Sequence, residues 1–239
     1  MLEQTLDIAG KDGAMETFIC RPERGAHPAV FLLMDAPGIR EELRDMARRL
    51  ASVGYCVLLP NLYYRAGRDT IYGPEVLVHG SAEHQRMRAV RTKMTIPPVM
   101  EDIAAMFAFI DAADGVKPGA IGVHGYCMSG PYALAAAARY PDRVAAAASF
   151  YGTWLVSDAV ESPHLSFAKV NGELYIAGAE IDELAPLRTL FEQAGGPGEL
   201  EIYSGVHHGF AFPQRKVYDK AAAERHWERL IGLYRRRLG

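Results

Sequence analysis

A thiol stands in the run Val-His-Gly-Tyr-Cys-Met-Ser-Gly from Val123 to Gly130, after an apolar stretch and ahead of the Ala-rich run Ala133 to Ala138. That order reads as strand, sharp turn and helix, with Cys127 at the apex. A nucleophile placed there is forced into strained backbone, while the following helix aims free N–H groups and the positive end of its dipole at a developing oxyanion. Gly125, Ser129 and Gly130 leave room for so tight a turn, giving Gly-x-Cys-x-Ser-Gly, a variant of the Gly-x-Ser-x-Gly elbow. The competing account is a packing cysteine, because free Cys is among the most buried residue types. Ser129 is a rival nucleophile, but two residues past the apex it should lie in the first helical turn and face the sheet.

A thiol needs a base, and the base needs a group that orients it. Downstream of Cys127, the apolar run from Leu174 ends in Gly178 and two carboxylates, Glu180 and Asp182, with Pro186 opening the next helical segment. Asp182 is the choice for the orienting acid and Glu180 the reserve. The next run, Glu201 to Gly205, enters a glycine-flanked loop holding His207 and His208, one of which supplies the base. Nucleophile, acid and base then follow in the chain order of the α/β-hydrolase arrangement. Upstream, Met34 to Arg40 follows the first strongly buried strand, where this arrangement takes its second oxyanion donor. Pro37 has no N–H, so Ala36 and Met128 are the expected pair. Asp35 in the same loop also reads as a turn or capping residue. No His-x-x-x-His or Cys-x-x-Cys spacing accompanies the histidines, so no metal is expected, and the nucleophilic scheme calls for no organic cofactor.

The elements that must hold these residues emerge from periodicity. Apolar strand-like runs recur at Thr17 to Cys20, Ala29 to Met34, Tyr55 to Leu59, Ala120 to His124, Ala147 to Tyr151, Glu173 to Ala177 and Leu200 to Tyr203. Helical spacing or composition covers Glu41 to Val53, Pro98 to Ala113, Gly130 to Tyr140, Pro186 to Ala194 and Val217 to Leu238. The expected class is α/β: a doubly wound, mostly parallel sheet with helices on both faces, whose ligands sit beyond the carboxyl ends of the strands. Residues 1–239 are expected to form a single domain, with a lid or surface excursion over 63–97.

Composition narrows the partners. With 26 basic and 29 acidic residues the net charge is −3, and no basic block offers a footprint for nucleic acid or an anionic membrane. The first residues lack a basic start followed by an apolar core, and no apolar run approaches the ~20 residues of a membrane span, so the expectation is a soluble, cytoplasmic protein. Three scattered cysteines, Cys20, Cys56 and Cys127, argue for reduced thiols rather than a disulfide framework. Monomer and homodimer both remain open.

Taken together these residues resemble the dienelactone hydrolase (carboxymethylenebutenolidase) family over most of the chain, from about Met15 to the final helix. Gly125-Tyr126-Cys127 is similar to that family's Gly-Tyr-Cys elbow, Asn61-Leu62-Tyr63-Tyr64-Arg65 to its Asp-Leu-Tyr-x-Arg segment, and His208-Gly209-Phe210 to its base loop. The resemblance implies a small-molecule ester or lactone as substrate, Cys127 as nucleophile, His208 rather than His207 as base, and Asp182 as its partner. It also implies thiol control at Asp35, where the family usually has Glu, and a substrate-carboxylate clamp at Arg65. Four residues after the base the family carries a second arginine, and here that place is Phe212. The departure puts dienelactone itself in doubt, with Arg215 or an arginine of the excursion as replacement. A general carboxylesterase or thioesterase with an apolar pocket is the alternative, and a non-catalytic binding protein a third.

Overall fold

The computed structural model describes residues 1–68, 72–182 and 184–239. Among the described residues, eight strands form one sheet in the order β1-β2-β4-β3-β5-β6-β7-β8: β1 Leu2–Gly10, β2 Gly13–Arg21, β3 Ala29–Leu33, β4 Cys56–Pro60, β5 Ile121–Tyr126, β6 Val144–Phe150, β7 Glu173–Ala179 and β8 Gly198–Tyr203. The β1–β2 and β2–β4 pairs are antiparallel and the rest are parallel. Every residue of β3, β4 and β5 is buried, as continuous apolar runs covered on both faces require.

The helices are α1 Glu41–Ser52, α2 Ala82–Arg91, α3 Ile96–Ala112, α4 Gly130–Arg139, α5 Ala185–Gln193 and α6 Lys220–Leu238. In α1, Leu43, Met46, Ala47 and Leu50 are buried on one face, a spacing that fixes which side meets the sheet. Among the described residues, no helix is long and apolar enough to cross a membrane.

Three departures from the sequence reading have physical causes. β1 carries no buried apolar run because it is an edge strand, with Glu3, Gln4, Thr5 and Asp7 exposed or half-buried and only Ile8 fully buried. α3 begins at Ile96, two residues ahead of the expected start, and takes in both Pro97 and Pro98. They occupy its first turn, where the missing N–H has no intrahelical partner to lose. The excursion 63–97 holds helix α2, capped by Ser81, whose Oγ accepts the His84 N–H at 3.1 Å; residues 69–71 of the excursion lie outside the described residues.

The turn from β5 into α4 is the tightest approach in the sheet that bears on the site. A Cβ on Gly125 would lie 2.2 Å from the Ser129 carbonyl oxygen, and one on Gly130 would lie 2.6 Å from the Gly152 Cα. Both obstacles are backbone and cannot swing away. Gly125→Ala is therefore expected to destabilise the protein by about 3 kcal/mol, at the upper end of ordinary overpacking, as read from the midpoint and slope of urea denaturation.

Candidate active site

Cys127 sits where β5 ends and the single turn Cys127–Ser129 leads into α4. Its φ is 53°, a left-handed conformation that costs a non-glycine residue about 1–2 kcal/mol. The turn is held from several sides. The Thr153 N–H donates to the Cys127 carbonyl at 3.1 Å, and the Ser129 hydroxyl donates to the Met34 carbonyl at the end of β3. Ser129 is fully buried by that contact, whereas Cys127 is only half-buried.

The acid and base arrive from β7 and β8. Asp182, in the short turn Glu180–Asp182 that ends β7, accepts the Ala179 N–H at 2.7 Å on one carboxylate oxygen and the His208 Nδ1–H at 2.7 Å on the other. Gly178 makes this fold-back possible, since a Cβ there would lie 3.0 Å from the same carboxylate. With Nδ1 engaged, Nε2 is the ring nitrogen left for the Cys127 sulfur. Burial lowers the His208 pKa, but the Asp182 hydrogen bond and the Cys127 sulfur outweigh it and raise the value to about 9. Among the described residues, neither Glu180 nor His207 makes a corresponding side-chain hydrogen bond. The imidazole is backed by Tyr151, whose ring centre lies 5.0 Å away and whose φ of 40° is a second strained position at a strand end.

Ala36 and Met128 meet across the turn. The Tyr63 hydroxyl lies 2.9 Å from the Ala36 carbonyl oxygen and 3.1 Å from Met128 Sδ, so one buried side chain steadies both residues. Tyr63 is set in turn by Asn61, whose Oδ1 accepts the Tyr63 N–H at 3.0 Å. That bond asks only for an acceptor oxygen, which Asn supplies as well as Asp does.

The charged residues sort differently. Asp35 is fully buried and faces two guanidiniums: Arg40 donates to it at 2.6 Å and Arg215 also pairs with it. Phe212, buried and packed 5.2 Å from the Tyr126 ring, packs against both arginines, with their guanidinium carbons 4.8 and 4.6 Å from its ring centre. Glu42 completes the cluster by accepting from Arg40 at 2.7 Å and from the Gln214 N–H at 2.8 Å. Tyr126 turns away from the thiol, and its hydroxyl lies 2.7 Å from His226 Nε2. His226 Nδ1 donates to the Ala223 carbonyl at 3.1 Å, so Nε2 accepts from the phenol. Arg65 points to the antiparallel edge, donating to Asp12 at 2.6 Å and to both oxygens of buried Asp102 at 2.8 and 2.9 Å.

Sequence reading passed over Tyr151 and Tyr63 as a brace, and left Arg91 among the unnamed arginines of the excursion. Arg91 closes α2 and reaches the loop after β6: it donates to Thr153 Oγ1 at 3.2 Å and lies 4.2 Å from the centre of the Trp154 ring. Among the described residues it has no acidic partner, and its Nε is buried without a hydrogen bond. A basic residue in a segment of weak periodicity gives no sign of where it will point.

A family model described as the dienelactone hydrolase family matches residues 15–238. A Synechocystis sp. protein provisionally named carboxymethylenebutenolidase is 28% identical, the match covering 98% of this chain and 94% of that one. The Rhodococcus opacus carboxymethylenebutenolidase is 25% identical over 90% of this chain and 84% of its own. Among solved structures, one provisionally named dienelactone hydrolase from Klebsiella pneumoniae superposes with a TM-score of 0.85 at 22% identity, covering 98% of each chain.

The His208 shift carries a pH signature. A folded-state pKa of about 9 against an ordinary 6.5 means that this group's stabilisation is complete below pH 6.5 and is lost as pH rises through 9. Denaturant titrations at stepped pH should therefore show wild type losing stability over that window relative to His208→Gln, and Asp182→Asn should shrink the difference.

Proposed function

The chain belongs to the dienelactone hydrolase family, and from that membership we propose that it hydrolyses an activated ester or lactone through a thioester on Cys127. His208, its ring held by Asp182, already carries the thiol's proton in the resting pair, and the sulfur attacks the carbonyl carbon to form the C–S bond. The Ala36 and Met128 N–H groups then face the oxyanion, each such donor being worth about 10²–10³ in rate. Ala36 suits the part, since its N–H has no hydrogen-bond partner among the described residues. Collapse breaks the C–O bond, and the departing oxygen leaves as an alcohol or enol with the proton held by His208. Water next attacks the thioester, His208 takes its proton, the C–S bond breaks, and sulfur leaves as thiolate, restoring the resting pair as the acid departs.

The observation that carries this reading is the 2.7 Å bond between Asp182 and His208 in a site where Cys127 is held at a φ of 53°. Because a thiolate is itself a good leaving group, forward collapse needs a stabilised departing oxygen, as in an enol lactone or an activated ester. A second reading, a broader esterase for uncharged substrates, is favoured by Arg65, whose charge is already met by Asp12 and Asp102. If the substrate does carry a carboxylate, Arg91 is the better clamp.

Cys127→Ala is expected to lower kcat on activated esters by about 10⁴-fold or more with an unchanged far-ultraviolet spectrum. Rapid-quench mass spectrometry of the wild type should catch a transient acyl adduct on Cys127. Full activity in Cys127→Ala would rule out the thiol route. Within a matched ester panel, Arg91→Met should raise KM only for members bearing a carboxylate, and a uniform effect would favour the uncharged-ester reading.

A further inference from the structure

Beside Met128 the protein holds a cavity of about 370 Å³, bounded by Met94, Ile96, Pro131, Tyr132 and Trp154. Its volume lies within the ~300–1,000 Å³ typical of small-molecule sites. Met94 and Ile96 come from the end of the excursion, Pro131 and Tyr132 from the first turn of α4, and Trp154 from the loop after β6. The cavity therefore adjoins the residue immediately after the thiol, yet it is separate from the Asp35 and Asp102 charge clusters.

We infer that this cavity is the acyl subsite and that the substrates are esters whose acid portion is an apolar chain of several carbons. The inference rests on the proposed reaction and adds to it which side of the scissile bond the cavity serves. His208 must stand beside the departing oxygen, since it supplies that oxygen's proton. None of His208, Tyr151 or Phe210 lines the cavity, whereas the proposed oxyanion donor Met128 does. A carbonyl held with its oxygen on the Met128 N–H and its leaving oxygen toward His208 directs its remaining substituent, the acyl chain, into this space.

Trp154 supplies an independent sign that something apolar belongs there. It is 62% exposed, and its φ is 56°, a conformation that an aromatic residue rarely adopts. The Arg91 guanidinium stacks on it and bonds the adjacent Thr153, so the ring is held as a wall of the cavity at a cost in backbone strain and uncovered area. Val156 and Val160 are also exposed on the same loop. A buried acyl chain would cover the ring and recover that cost.

The test compares 4-nitrophenyl acetate with 4-nitrophenyl hexanoate, using the wild type and Ala159→Phe. Ala159 lines the cavity and is exposed, so a larger side chain there fills space without disturbing the core. Wild type should show kcat/KM at least about tenfold higher for hexanoate, and Ala159→Phe should lose most of that advantage while acetate changes by less than about twofold. Equal rates on both esters in wild type, or an equal fall on both in the variant, would overturn the subsite. A binding arm separates this from failure of the chemistry. In Cys127→Ala, calorimetry should find ethyl hexanoate bound more tightly than ethyl acetate, and Ala159→Phe in that background should abolish the difference. Tighter hexanoate binding without turnover in the wild type would uphold the subsite and reject the thioester reaction, whereas turnover without a chain-length preference would do the reverse.

Discussion

Everything at the site depends on the left-handed backbone at Cys127 and on the packing that keeps it there. A single residue in that conformation reverts unless its surroundings leave no alternative. Here the hydrogen of Gly125 stands against the Ser129 carbonyl, Ser129 is tied to the end of β3, and the Cys127 carbonyl is held by Thr153 from the loop after β6. The parallel register then carries the constraint outward. Tyr126 pairs with Phe150 and Phe150 with Ala177, so the residues just beyond them, Cys127, Tyr151 and the turn bearing Asp182, emerge along one edge of the sheet. His208 enters from the loop after β8 and meets that edge through its bond to Asp182.

The electrostatics divide into networks that share little. Asp182 and His208 form the pair beside the thiol. Asp35 is satisfied by Arg40 and Arg215, which both pack on Phe212. Removing one member of such a buried cluster leaves an unmatched charge, commonly costing about 3–5 kcal/mol, so these arginines are bound up in holding the loop after β3. Asp102 is a third case: burial raises its pKa, and Arg65 and Tyr64 work against that effect without cancelling it. With Arg40, Arg65 and Arg215 thus engaged, Arg91 stands apart among the described residues as the cation beside the thiol loop that lacks a carboxylate.

Much of this arrangement was legible in the sequence, because the parts that carry it are local. Continuous apolar runs in β3 to β7 identify buried parallel strands, and the Gly125-Tyr126-Cys127 turn follows from the exclusion of any Cβ at residue 125. Asp182 was visible as a polar residue at a strand end, as was the pair His207 and His208, between which the family resemblance decided. The long-range partners were not. Arg65 could not be seen to face Asp102, which lies 37 residues on, nor could Phe212 be seen against two guanidiniums. Tyr151 read as an ordinary aromatic because nothing in residue type announces a positive φ. β1 escaped because an edge strand needs only ladder bonds and one buried side chain.

The most direct test is the rate at which iodoacetamide alkylates each cysteine, followed by peptide mass spectrometry. Cys20 and Cys56 are internal controls, being buried with thiol pKa values that burial pushes up to about 11. If sulfur, imidazole and carboxylate act as one unit, Cys127 will react first in the wild type at neutral pH and at least about tenfold more slowly in both His208→Ala and Asp182→Asn, in keeping with control of thiol reactivity by its neighbours. A Cys127 that stays unmodified alongside Cys20 and Cys56, or reacts at one rate in all three proteins, would contradict the account.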